Sequence, residues 1–153
     1  MKTLDAVGLL RHQRHDFTND LQVLGGYLEL GQTERAMTFL RQVFKELEEE
    51  RQIFTIGDPE ISIFLYRQLL MARERGVNIK YGDVRLGTTT EEQLEKLGEA
   101  ILPYYEEIAE STGAKYEDVN ATVDIIGQDK EVRFVFNVSS ESGQIKREIV
   151  LTR

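Results

Sequence analysis

The sequence predicts an α+β protein in which a long antiparallel helical hairpin, paired with a second copy into a four-helix bundle, precedes a small domain of helices packed on a sheet. Two observations carry this expectation. Apolar residues over the first fifty positions recur at helical spacing, and those over 121–151 alternate with period two. A third is punctuation: Gly31, Asp58-Pro59 and a Thr90-to-Gln93 capping pattern stand where such elements should start or stop.

The first helix is expected over 4–30. Written as heptads, Val7, Arg14, Leu21 and Leu28 fall at a and Leu10, Phe17 and Leu24 at d, a seam suited to partner helices. At ~1.5 Å per residue such a helix is a rod of ~40 Å. Gly31 suits the left-handed position after its last turn. Thr33 then caps a second helix, in which Met37, Leu40, Val43 or Phe44, and Leu47 repeat at three and four. Its end, 46–51, is polar enough to be a solvated face. A connection of only Gly31 and Gln32 makes the two helices antiparallel neighbours. One hairpin cannot bury the seam. Each of Leu10, Phe17, Leu21, Leu24 and Leu28 gains ~1.5 to 3 kcal/mol from full burial, so a homodimer is expected. Gly25 and Gly26 each cost a helix ~1 kcal/mol relative to alanine. They read either as a weakness or break, or as a place of close helix approach or bending.

From Gly57 the pattern changes, which places domains at 1–55 and 56–153. Asp58 and Pro59 form an N-cap and first-turn pair, and Ile61, Phe64, Leu65, Leu69 and Ala72 trace one face of a helix ending before Gly76. A short strand is expected at 77–81. Thr90 to Gln93 opens a further helix, with Leu94, Leu97, Ile101, Tyr104 and Ile108 along one side and a kink at Pro103. Strands at 121–126, 132–138 and 145–151 follow, joined by hairpin turns at 127–130 and 139–144. Val132, Phe134, Phe136 and Val138 alternate as in a sheet with one buried face.

Composition removes several functions. The 153 residues carry a net charge of −8, which disfavours nucleic acid as a partner because phosphate backbones are bound by Lys and Arg. There is no cysteine, hence no thiolate ligand or thiol nucleophile, and the two histidines lie three residues apart, a poor basis for a metal site. No window approaches the roughly 18 apolar residues of a membrane span, and no basic-then-apolar signal opens the chain. The expectation is a cytoplasmic protein without membrane contact.

Chemistry concentrates on the first helix. His12, His15, Asp16, Asn19 and Gln22 are spaced to share a polar stripe turned away from the seam. A neutral, exposed imidazole beside a carboxylate and a carboxamide is equipped to accept and pass on a phosphoryl group. Asp16 can orient the imidazole or balance its charge, although adjacent residues on a helix face each other poorly. Asn19, one turn on, can bond a phosphoryl oxygen or a water. Arg11 and Arg14 attract phosphate or simply solvate the helix, and Gln22 reads as a surface residue.

The run RHDFTNDLQVLGGYLELG resembles the dimerisation and phosphoacceptor segment of sporulation-phosphotransferase-type histidine kinases, with about twenty positions in agreement. Looser similarity continues over 58–81 toward the entry of their ATP-binding domain. The resemblance implies that the histidine directly before the aspartate, His15 and not His12, is the phosphoacceptor, with Asp16 and Asn19 beside it. It also implies that the second domain is a degenerate ATPase-like α/β sandwich. In the related kinases an asparagine on the helix equivalent to 94–111 holds the magnesium ion of ATP; here Pro103 takes that place, and no asparagine occurs between Asn78 and Asn120. The adenine-reading Asp-x-Gly-x-Gly loop has become SSESGQ, and without glycines backbone N–H groups cannot approach phosphates.

A degenerate nucleotide domain joined to an intact acceptor helix is the pattern of the sporulation initiation phosphotransferases. The resemblance implies an enzyme that carries phosphoryl groups between the aspartates of response-regulator receiver domains through a phosphohistidine, in sporulation control. It has no cofactor of its own, Mg2+ coming with the receiver. A phosphorylation-inactive regulator of a kinase or response regulator, and a sensor kinase with a highly diverged ATP site, are the alternatives.

Overall fold

The computed structural model describes residues 3–113, 118–140 and 143–153, with side chains from residue 6 onward. The fold is α+β, and the chain divides into two compact units, Met1–Gln52 and Ile53–Arg153. Ile53 is 2% exposed and its carbonyl accepts a 2.7 Å hydrogen bond from the Ser62 hydroxyl, so the division falls slightly before the expected one at 55.

The first unit holds α1 (Thr3–Glu29) and all but the last residues of α2 (Thr33–Phe54). α1 passes through Gly25 and Gly26 without a break, and a methyl group added at either would meet nothing within 4 Å. A close approach within one hairpin is therefore not what these glycines serve. α1 ends because Gly31 adopts φ 68°, which lets its N–H reach Leu28 O and the Gln32 N–H reach Tyr27 O at 3.0 and 2.8 Å. These two bonds satisfy carbonyls that a terminating helix leaves orphaned. Beside the turn Ala36 is buried, and the Tyr27 and Phe39 rings pack with centroids 6.2 Å apart. The expected seam is largely bare in the single chain: Val7, Leu10, Phe17, Leu21, Leu28, Met37, Phe44 and Leu47 are all exposed, Leu10 at 64% and Phe17 at 57%.

The second unit contains α3 (Pro59–Glu74), β1 (Val77–Arg85), α4 (Glu91–Ser111), β2 (Val119–Gln128), β3 (Glu131–Ser140) and β4 (Gly143–Thr152). Two of the expected caps form, whereas Thr33, expected to cap the second helix, is itself the first residue of α2. Asp58 accepts from the N–H groups of Glu60 and Ile61, and Thr90 and Gln93 close a reciprocal box at the head of α4. The sheet order is β1-β2-β3-β4, with β1 parallel to β2 and the remaining pairs antiparallel. Val132, Phe134, Phe136 and Val138 are buried, together with Leu65, Leu69, Leu97, Ile101 and Ile108 of the helices.

Three expectations change. β1 extends beyond 81 because its pairing with β2 absorbs an irregularity between Tyr81 and Val84. There Asp124 Oδ1 accepts from the Asp83 N–H at 2.7 Å, in space that only a glycine at position 82 leaves open. The core position on α4 belongs to Tyr105, not Tyr104: its hydroxyl donates to Gln68 Oε1 at 3.0 Å, and burial pushes its pKa up. Pro103 lies inside α4, which is continuous from Glu91 to Ser111. Between β2 and β3 only Asp129 and Lys130 turn, with Asp129 at φ 52°. The turn expected at 139–144 falls partly on 141–142, outside the described residues.

Candidate functional site on the first helix

The helical repeat of 3.6 residues decides which side chains meet on α1. His15 is exposed, with 73% of its side-chain surface free, and Asn19 stands one turn further along the same face. The Asn19 Nδ2 lies 3.3 Å from His15 Nδ1, and Asp16 Oδ1 lies 3.5 Å from that same nitrogen. Both neighbours therefore address Nδ1, which leaves Nε2 of His15 without a partner among the described residues. His15, Asp16 and Asn19, the three residues singled out from the sequence, are brought together around one imidazole.

The expected stripe is not uniform. Gln22 is exposed and continues the row of His15 and Asn19, whereas His12 and Asp16 are half-buried, on a line with Leu9, Asp20, Leu24 and Tyr27. The reason is geometric: steps of four, four and four from residue 12 drift only slowly around the helix, so 12, 16, 20 and 24 form a separate row from 15, 19 and 22. His12, set aside in the sequence reading, has its Nε2 3.3 Å from Asp16 Oδ2. One carboxylate thus faces two imidazoles. The spacing of four residues between His12 and Asp16 was the available signal for this contact.

Asp20 was missed altogether. Its carboxyl pKa is raised by partial burial, by Glu46 of α2 and by Asp16. A raised acid pKa means that ionisation works against the folded state, so the contribution is most favourable below the unfolded value near 3.8 and is lost as pH rises through the folded value. Asp20→Asn is accordingly expected to stabilise the protein at pH 7 by up to about 0.5 kcal/mol, the scale of surface like-charge pairs, and to have no advantage below pH 3.8. Thermal unfolding of both proteins at the two pH values reads this directly.

Among the described residues no group of three or more His, Cys, Asp or Glu side chains is placed to hold a metal ion. No helix there is long and apolar enough to cross a membrane.

Residues 1–56 match the family described as the Sensor_kinase_SpoOB-type, alpha-helical domain. The match covers both helices of the hairpin. SpoOB-type domains are found in two-component systems. A similar protein is the Sensor protein CitS of Halalkalibacterium halodurans (strain ATCC BAA-125), 32% identical over 72 residues. That similarity spans 46% of this chain but only 13% of CitS. The SpoOB-type match covers residues 1–56, which include α1 and α2.

Proposed function

We propose that this protein is a His-containing phosphotransferase of a two-component phosphorelay, with His15 as the phosphoacceptor. The observation that carries the reading is the geometry around His15 on the α1 helix of a SpoOB-type domain: an exposed imidazole whose Nδ1 is engaged by Asp16 and Asn19 and whose Nε2 is free. With the Nδ1 proton held toward Asp16, the Nε2 lone pair is the nucleophile.

The chemistry is an exchange of one bond for another. Nε2 attacks the phosphorus of a receiver's aspartyl phosphate, the N–P bond forms, the P–O bond breaks and the receiver's carboxylate leaves. The imidazole keeps its Nδ1 proton, so the ring gains positive charge that the Asp16 carboxylate offsets. In the second half the carboxylate of another receiver attacks the same phosphorus and Nε2 departs with its lone pair. Catalysis consists mainly of in-line positioning, with Mg2+ supplied by the receiver to balance charge on the phosphoryl oxygens. Asn19 Nδ2, which faces Nδ1, reaches one of those oxygens only by turning away from that nitrogen. Two hairpins pair through the exposed seam into a four-helix bundle, which leaves the His15 face of each α1 open to a receiver.

Incubation with phosphorylated receiver domains, followed by mapping of acid-labile phosphate, tests the assignment. Label on His15 that a second receiver can remove is the expected result; absence of label from every receiver of the source organism overturns it.

A second reading, a sensor kinase, is favoured by the family description and by the similarity to a protein named a sensor. The two differ over ATP. Pro103 offers no carboxamide for a metal ion, and the segment near β3 and β4 contains a single glycine, Gly143. Calorimetry with ATP and magnesium is expected to be flat, and autophosphorylation from ATP alone would replace the phosphotransferase reading with the kinase one.

A further inference from the structure

The row formed by His12, Asp16 and Asp20 contains a group that the phosphotransfer reading does not use. His12 Nε2 stands 3.3 Å from one oxygen of Asp16, while the other oxygen of the same carboxylate stands 3.5 Å from His15 Nδ1. The geometry points to His12 as a positioning residue: by engaging Oδ2 it holds the Asp16 carboxylate in the orientation that presents Oδ1 to His15. This rests on the reading of His15 as phosphoacceptor.

The need for such a hold follows from the helix. Residues 15 and 16 are adjacent, about 100° apart around the axis, and an aspartate there has no intrinsic preference for facing the histidine before it. A four-residue spacing, by contrast, stacks His12 directly under Asp16. Left alone, the Asp16 carboxylate is half-exposed and has a like charge nearby, since Asp20 is close enough to feel it. Repulsion from Asp20 favours rotamers that turn Asp16 elsewhere. His12 opposes this.

The consequence for His15 is a choice of tautomer. Asn19 presents its Nδ2 to His15 Nδ1, and an amide nitrogen is a donor only. That contact by itself favours an unprotonated Nδ1 and a proton on Nε2, which removes the nucleophilic lone pair. The Asp16 carboxylate is an acceptor only, and it favours the opposite tautomer, with the proton on Nδ1 and Nε2 free. The two neighbours of Nδ1 therefore pull in opposite directions. Whatever holds the carboxylate in place sets the fraction of His15 able to attack, and among the described residues His12 is the side chain in contact with its other oxygen. Glutamine at position 12 can reproduce the hold, because its amide nitrogen reaches about as far as Nε2 and donates.

The test compares parent, His12→Ala and His12→Gln in two measurements. The first is the nitrogen NMR spectrum of the His15 ring in the unphosphorylated protein, which reports the tautomer directly and does not depend on any phosphate donor. The second is the rate of labelling by a phosphorylated receiver. His12→Ala is expected to shift His15 toward the Nε2-protonated tautomer and to slow labelling by about tenfold, the lower range for loss of a group that orients a functional histidine, with the final yield unchanged. His12→Gln is expected to restore both. Unchanged helicity and sedimentation establish that the fold is intact. An Nδ1-protonated His15 in all three proteins overturns the proposal, as does a glutamine variant that behaves like the alanine one. If the parent accepts no phosphate, the phosphotransferase reading falls, and the ring spectra decide the role of His12 without it.

Discussion

His15→Ala is expected to abolish phosphate acceptance while the protein stays folded. Among the described residues on the exposed face of α1 the imidazole of His15 is the nucleophilic group with a free nitrogen, and neither Asp16 nor Asn19 substitutes for it, the first being a poor nucleophile toward an acyl phosphate and the second not nucleophilic at all. Loss of a nucleophile costs at least about a thousandfold in rate, which in a labelling assay means no signal. Substitution at a residue with 73% of its side chain exposed removes little packing, and stability should stay within about 0.5 kcal/mol of the parent. Asn19→Ala is milder because it leaves the nucleophile in place. The measurement is acid-labile label after incubation with a phosphorylated receiver, with denaturation curves alongside. Equal labelling of His15→Ala and parent would favour the regulator reading.

Leu21→Glu is expected to convert a dimer into monomers. Leu21 lies in the bare seam of α1 with Leu10, Phe17 and Leu28, and the facing α2 adds Met37, Phe44 and Leu47 to the apolar surface left exposed by one chain. Closing two such surfaces buries the leucine fully. A carboxylate in its place has no cation to meet in the seam and costs several kcal/mol to desolvate, enough to move a micromolar dissociation constant beyond reach. Gln22→Glu adds the same charge one residue away on the polar face and should leave the dimer intact. Sedimentation equilibrium at micromolar concentration separates the outcomes, and a parent that sediments as a monomer would remove the bundle from the proposed function.

Much of this architecture is legible in the sequence because its signals are local. Gly31 and Thr33 mark the turn between α1 and α2, Asp58-Pro59 and Thr90 to Gln93 mark helix starts, and the alternation from Val132 to Val138 marks a half-buried strand. Each depends on residues within one or two turns. The features that escaped depend on partners distant in sequence. β1 runs to Arg85 because Asp124, 41 residues from Asp83, caps its irregular backbone, and nothing within the residues near Gly82 announces that pairing. Tyr105 displaced Tyr104 from the core because its hydroxyl finds Gln68, 37 residues away. On α1 the residue types and their spacing around His15 were readable, but Asp20 became visible only when α2 brought Glu46 toward it.

The sheet of the second unit is lined on one side by residues that are almost wholly enclosed and on the other by residues that are not: along β3, Val132, Phe134, Phe136 and Val138 alternate with Arg133, Val135, Asn137 and Ser139. Such a strand is two texts written on one ribbon. The enclosed letters are held by volume, since a methylene more or less is felt throughout a close-packed interior, and they are bound to change slowly and together. The open letters are less enclosed, Arg133 pairing with Glu148 across the strands, and they are freer to drift. If a domain with this topology once bound a ligand and ceased to, the loss would be recorded first in loops and open-face positions, while the enclosed half of every strand went on spelling out the ancestral fold.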